Sequence, residues 1–251
     1  GVGASDGNSG KTPEFPLSTI TKALSLCTAN RGDKIVLLPG HAETVTAAAG
    51  IDINVAGVTI IADPTAIGSQ RPKITLGTAN TATVRISAND VSVSGVLFVA
   101  NFLNIAVAVV LTTAKDATIS DCEFRDTSAI LNFVKAIATN STDNAADGLA
   151  VDNVVFNGLG TSAATTLINV LGAIRRITVT NNNVVVIGTT ATTGALILAT
   201  SKALVSAKIE RNTVASTLTT SGAGALIVAG TGGNGVVREN YIHTPASATA
   251  I

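Results

Sequence analysis

A three-point signature recurs seven times along this chain and constrains its fold more than any other feature. An apolar residue at position n is followed by an apolar, small or asparagine residue at n+3 and an apolar residue at n+5. The copies are Val55/Val58/Ile60, Val93/Val96/Phe98, Ile119/Cys122/Phe124, Val151/Val154/Phe156, Val179/Asn182/Val184, Ile209/Asn212/Val214 and Val237/Asn240/Ile242. Their starts lie 38, 26, 32, 28, 30 and 28 residues apart. A nearly constant period of this length marks stacked structural repeats.

Strand side chains alternate faces with period two, so n and n+5 cannot share one face of an unbroken strand. A bend near n+3, with its side chain turned inward, restores the phase. Asparagine suits such a bend because it tolerates left-handed backbone and bonds local amides. Asn182, Asn212 and Asn240 fall in one column, as a stacked asparagine ladder requires. Phe98, Phe124 and Phe156 share the n+5 column and read as a core ladder. A second apolar segment precedes several copies by about a dozen residues: "NIAVAVVLT", "TTLINVLG", "GALILAT" and "GALIVAG". Each period therefore holds at least two strands, parted by Gly, Thr, Ser and Asn turns.

Helical spacing is confined to the start, where Leu17, Ile20, Leu24 and Cys27 recur with Ser18 or Thr19 available as N-cap. "GDKIVLLPG" follows as a strand closed by Pro39-Gly40. We therefore expect an all-β chain, a single-stranded right-handed parallel β-helix of six or seven coils of roughly 28 residues with an N-terminal capping helix. Residues 1–48 form the cap, helix plus first strand, continuous with the coils of 49–246. Residues 247–251 form a C-terminal tail, either frayed or packed on another chain.

Composition narrows the function. With 46% apolar and 13% charged residues, disorder is excluded. The longest uninterrupted apolar run, Ile105 to Leu111, is seven residues, too short for a transmembrane helix. Sixteen basic and sixteen acidic residues cancel, and Arg175-Arg176 is the one adjacent cation pair. Phosphate-driven binding of nucleic acid is not expected. No basic stretch followed by an apolar core opens the chain, so no secretory leader is expected.

"SDGNSGKTPEFPLSTITKAL" followed by "GDKIVLLPGHAETVT" resembles the opening of pectin-lyase-like right-handed parallel β-helices. "PGHAETVTAAAGI", "VAGVTII", "RPKITLG" and "CEFRDTS" are similar to β-helix proteins encoded among phage and prophage structural genes. The resemblance covers residues 5–130 by wording and the remainder by period. It implies a virion structural protein, foremost a decoration or cement protein on the capsid exterior. Such a protein would dock on the major capsid protein as a homotrimer, with no cofactor and no nucleic acid or membrane partner. The alternative is a tailspike or tail-fibre domain that binds or cleaves host surface polysaccharide. A secreted β-helix adhesin or polysaccharide lyase is the third reading. The fold alone does not choose among them.

Glycoside hydrolysis needs two carboxylates either about 5 Å or about 6.5–9.5 Å apart. Aligned by n, Asp121, Glu123, Asp152, Glu210 and Glu239 gather at one edge of successive coils. Coils about 4.8 Å apart would bring Asp121 and Asp152 within reach, which makes them the catalytic candidates if the chain is an enzyme. A stacked edge also gathers acids by geometry alone, and Arg125, Arg211 and Arg238 would neutralise it as a salt-bridged surface. His41 and His243 lie at opposite ends of the chain. Tyr241, six Phe and no Trp leave little aromatic surface for a sugar face.

Other local patterns are incomplete. Gly10-Lys11-Thr12 ends like a phosphate loop, but Ser5 stands where the first glycine belongs and no strand precedes it. In "DNAADG", Asp143 to Gly148, Ala145 replaces a calcium ligand and Val154 stands where a bidentate glutamate is needed. Asn140-Ser141-Thr142 is a glycosylation sequon only in a secretory setting. Cys27 and Cys122 read as small core fillers. A chain without enzymatic activity, cofactor or metal is expected.

Overall fold

The computed structural model describes residues 3–159, 165–187, 195–216 and 225–243. The chain is an all-β parallel solenoid of about seven turns, with three sheets running its length. Sheet A is built from Lys34–Leu37, Thr59–Ala62, Ser92–Ser94, Thr118–Ser120, Ala150–Asp152, Thr178–Thr180, Ala207–Glu210 and Gly235–Arg238. Sheet B contains Ala42–Val45, Lys73–Gly77, Leu97–Asn101, Glu123–Asp126, Val155–Gly158, Asn183–Val186, Thr213–Ser216 and Tyr241–His243. Sheet C contains Ile51–Ile53, Val84–Ile86, Val109–Leu111, Lys135–Thr139, Thr166–Asn169, Ala195–Ala199 and Ala225–Ala229. The expected tail at 247–251 lies outside the described residues.

Most coils thus carry one strand in each of these sheets, and Ile174–Arg175 pairs with Leu204–Val205 as a fourth, two-stranded sheet. The recurrent signature straddles two strands, n on sheet A and n+5 on sheet B, rather than bending one strand. Register along sheet A runs Ile60, Val93, Ile119, Val151, Val179, Ile209, Val237. This corrects the first copy of the signature: Ile60, taken as an n+5 residue, occupies the n column, and Val58 precedes it by two. The n+5 partner in that coil is Ile74, in register with Phe98. An insertion between Ile60 and Ile74, including the 3-10 turn Gly68–Gln70, removes the short corner on which the spacing depends.

The corner between sheets A and B is sharp because one residue, at n+2, takes left-handed backbone. Gly95, Asp121, Asn153, Asn181, Arg211 and Glu239 all have φ between 51° and 80°. The bend therefore sits one residue before the position expected, and the n+3 side chain follows it into the core. Gly95 is required for a further reason: a Cβ there would lie 2.6 Å from that of Ala62. Val96, Cys122, Val154, Asn182 and Asn212 are all buried at n+3.

The interior is a set of aliphatic columns, because register places like residues over like. Phe98 and Phe124 stack with centroids 4.8 Å apart and planes 9° apart, an arrangement worth about 0.5–1.5 kcal/mol beyond area burial. Phe156 follows in the same column, in register with Phe124, and is fully buried. At the N-terminal end, helix α1, Ile20–Leu24, lays Ile20 and Leu24 over the first coil. Thr19 is its N-cap and accepts from Lys22 N–H at 3.1 Å. Asp6 accepts from the amides of Ser18 and Thr19 at 2.9 and 3.0 Å, and Glu43 from Ile20 N–H at 3.0 Å.

Candidate functional site

Many of the ion pairs among the described residues lie on the outer rim of the A–B corner. Positions n+1 and n+2 point outward on either side of the bend, so coil stacking forces their side chains into two adjoining files. Beneath them the n+3 column contributes the asparagine ladder. Asn182 Oδ1 accepts from Val154 N–H at 2.9 Å, and Asn182 Nδ2 donates to Val151 C=O at 3.0 Å. Asn212 Oδ1 accepts from Asn182 N–H at 3.0 Å and Nδ2 at 2.9 Å, while its own Nδ2 donates to Val179 C=O at 2.9 Å. Asn240 repeats the pattern on Asn212 and Ile209. Cys122 occupies the same column two coils before Asn182 and points its thiol at Val93 C=O, 3.7 Å away. Burial pushes that thiol up to about 12, so it stays protonated at neutral pH.

Asp121 and Asp152 sit on this rim but in different files. Asp121 is the left-handed n+2 residue, whereas Asp152 ends a sheet A strand at n+1. Asp121 accepts from Ser94 Oγ at 3.1 Å and Asn153 Nδ2 at 2.8 Å. Asp152 accepts from Thr180 Oγ1 and from Asn181 Nδ2 at 2.7 Å. The two residues also meet through backbone, where Asp121 N–H donates to Asp152 C=O at 3.1 Å. Each carboxylate ties together adjacent coils through donors of its own.

The other acids are ion-paired. Glu123 binds Arg71 at 2.9 Å and Arg125 at 2.7 Å. Arg71 also donates to the carbonyls of Gly95 and Asp121 at 3.2 and 2.8 Å. Glu210, only 2% exposed, binds Arg238 at 2.8 Å, Arg211 at 3.3 Å and Lys208 at 3.5 Å. Burial works to raise the Glu210 carboxyl, but the Arg238 guanidinium and Lys208 ammonium outweigh it and hold it below the usual 4.5. Glu239 lies 4.0 Å from Arg211. Arg125, Arg211 and Arg238 are thus the neutralising groups. Arg71 escaped sequence reading because it arrives from the Ile60–Ile74 insertion, outside the repeat. Asn153 and Asn181 escaped it because they lie at n+2, one residue before the expected bend, and Ser94, at n+1, carries no charge to mark it.

The remaining candidates do not converge. His41 lies 3.5 Å from Glu43 at the first coil, and His243 ends the last described strand of sheet B. In "DNAADG", Asp143 accepts from Ala173 N–H and Asp147 from Arg175 N–H, at 2.8 and 2.9 Å. Those acids pin successive coils together. Asn140 accepts from Thr142 N–H at 3.1 Å in a local turn. Among the described residues no group of three or more His, Cys, Asp or Glu could hold a metal ion, and no helix is long and apolar enough to cross a membrane.

Fold and rim together define a parallel β-solenoid with a cross-linked polar corner. No family model matches the chain, and no curated protein matches it. Among solved structures, a rhamnogalacturonan lyase is similar at a TM-score of 0.44 and 11% identity, over 99% of this chain and 85% of that one.

Proposed function

We propose that this chain is a non-catalytic structural module, a capsid decoration or cement protein seated on the exterior of a phage shell against the major capsid protein. One observation carries the non-catalytic part: Asp121, Asp152, Glu123 and Glu210 all hold partners from other coils, Glu123 binding Arg71 two coils before it and Asn157 in the next. A carboxylate committed to such bonds is poorly placed to protonate a leaving group or to attack a sugar. The resemblance over residues 5–130 to phage β-helix proteins supports the particle.

The outer face of sheet A suits a homotrimer interface. Thr59, Ser92, Thr118, Ala150 and Thr178 share one outward column, and Ser94, Ser120, Asp152 and Thr180 share the next. Small side chains keep that face flat, which permits close approach of a second copy.

Quantitative mass spectrometry of the purified source particle tests the reading. A copy number comparable with the major capsid protein is expected, and absence from the particle overturns it. Sedimentation equilibrium should return the mass of a trimer. The competing polysaccharide reading of a tailspike predicts that Asp121→Asn with Asp152→Asn abolishes cleavage or attachment. We expect that double variant to behave as the parent in both assays.

A further inference from the structure

We propose that a cleft at the N-terminal end of the solenoid binds an extended acidic peptide segment of a partner polypeptide by strand addition. The inference stands apart from the capsid reading and holds in any setting in which the chain resides.

The first strand of sheet A, Lys34–Leu37, has a neighbour on one side only, the strand Thr59–Ala62. In a parallel pair, alternate residues aim both N–H and C=O at the neighbour. Asp33 C=O accepts from Thr59 N–H at 3.0 Å and Leu37 C=O from Asp63 N–H at 2.9 Å. Asp33, Ile35 and Leu37 therefore face the second strand, and Lys34 and Val36 turn their N–H and C=O groups the other way. An unpaired edge is a template for another strand unless a protein blunts or covers it.

This edge opens on a cleft of about 540 Å³. Helix α1 closes the hydrophobic core with Ile20 and Leu24, and its Ala23 lines the cleft opposite the strand. The cleft runs between Asp33–Pro39 on one wall and Lys11, Leu17, Ala23 and Leu26 on the other. Its volume lies within the usual range of ligand sites.

The lining selects the occupant. Backbone donors and acceptors with no partner strand among the described residues recur at every second residue, the spacing of a strand, about 6.6–6.8 Å. Among the described lining residues there is no Phe, Tyr or Trp to stack on a sugar. Val36 and Leu26 are 48% and 50% exposed and offer apolar contact. Arg31 is paired with Asp33 at 2.7 Å, and Asp63 accepts from Thr65 N–H at 2.8 Å. Lys11 and Lys34 line the same cleft without an ion pair among the described residues. They call for a carboxylate on the incoming strand, with main-chain bonds supplying affinity and alternate side chains specificity.

The test titrates the full chain with an acetylated, amidated peptide of alternating Glu and Val, and with the same peptide N-methylated throughout. Saturable binding of the first, weakened at least tenfold by methylation, is the expected result, with amide shifts at Lys34–Leu38. Val36→Pro should abolish binding with an unchanged thermal midpoint, because its nitrogen faces the cleft and the bonds to Thr59–Ala62 remain. Lys11→Glu with Lys34→Glu should weaken binding without altering the strand, so a folding defect in the proline variant would not decide the matter. Equal binding of both peptides, or no saturable binding of either, overturns the proposal. So does saturation of the cleft by oligogalacturonate, or self-association through this edge that the peptides do not displace.

Discussion

Asn212 shows how a side chain with four hydrogen-bonding sites becomes fully buried among aliphatic neighbours. Its oxygen serves two donors on Asn182, and its nitrogen serves Val179 C=O and Asn240 Oδ1. Each rung satisfies the one before it, so the ladder extends but cannot be interrupted cheaply. Asn212→Ala leaves Asn182 N–H and Val179 C=O buried without these partners, at a cost of about 1–3 kcal/mol per group. Calorimetry should show the midpoint lowered by roughly 2–4 °C for each kcal/mol lost. Glu210 acts through charge. Its folded pKa lies below the ordinary 4.5, so its stabilisation is complete above that value and is lost as pH falls through the lower folded value. The parent's thermal midpoint should therefore drop on acidification below pH 4.5, and Glu210→Gln should flatten that portion of the curve. Asp52, lowered by its bidentate bond to Arg85 at 3.0 and 2.6 Å, contributes in the same direction on acidification below its ordinary 3.8.

At the scale of elements, helix α1 has five residues, far too short to persist alone. Burial of Ile20 and Leu24 and three sets of cap bonds hold it in place. Thr19→Ala removes the cap to Lys22 N–H and the hydroxyl bond to Asp6, 2.8 Å long. A loss of about 1 kcal/mol is expected, measurable in urea as a lower midpoint with an unchanged slope. Phe124 lies between coils, stacked on Phe98 and edge-on to Phe133 at 6.3 Å. Phe124→Ala should cost about 3–5 kcal/mol, well above the cap variant. The sheets differ in what their corners demand. The A–B corner needs one left-handed residue, and the same conformation is met by Gly95, Asn181, Arg211 and Glu239 alike.

The whole molecule is close to one-dimensional, since each coil bonds chiefly to the coils before and after it. Stability in such a stack is approximately a sum over neighbouring interfaces. A central coil has two interfaces and a terminal one has one. Ile119, Val151 and Val179 are almost wholly buried, while Val237, in the same column, is 53% exposed. Amide exchange should therefore be slowest across sheet A strands from Ser92 to Thr180 and fastest at Gly235–Arg238. Uniform protection along the described coils would show instead that the solenoid opens as one unit.

Much of this architecture was legible from periodicity. Apolar residues repeating near 28 positions require like-over-like stacking, because only then are their columns buried. The asparagine column was visible for the same reason, since a buried amide at each coil finds its partner in the next. Three features needed tertiary structure. The left-handed residue at n+2 is Gly, Asp or Asn in the earlier coils but Arg or Glu in the last two, so its side-chain signature is partial. The first coils lost their register to an insertion, whose length hides the spacing and whose Arg71 completes the rim. The fate of Asp121 and Asp152 depended on which side of the bend each one occupies. Their offsets from n differ by one residue in the repeat itself, but only the folded corner assigns each carboxylate its donors in the adjoining coils.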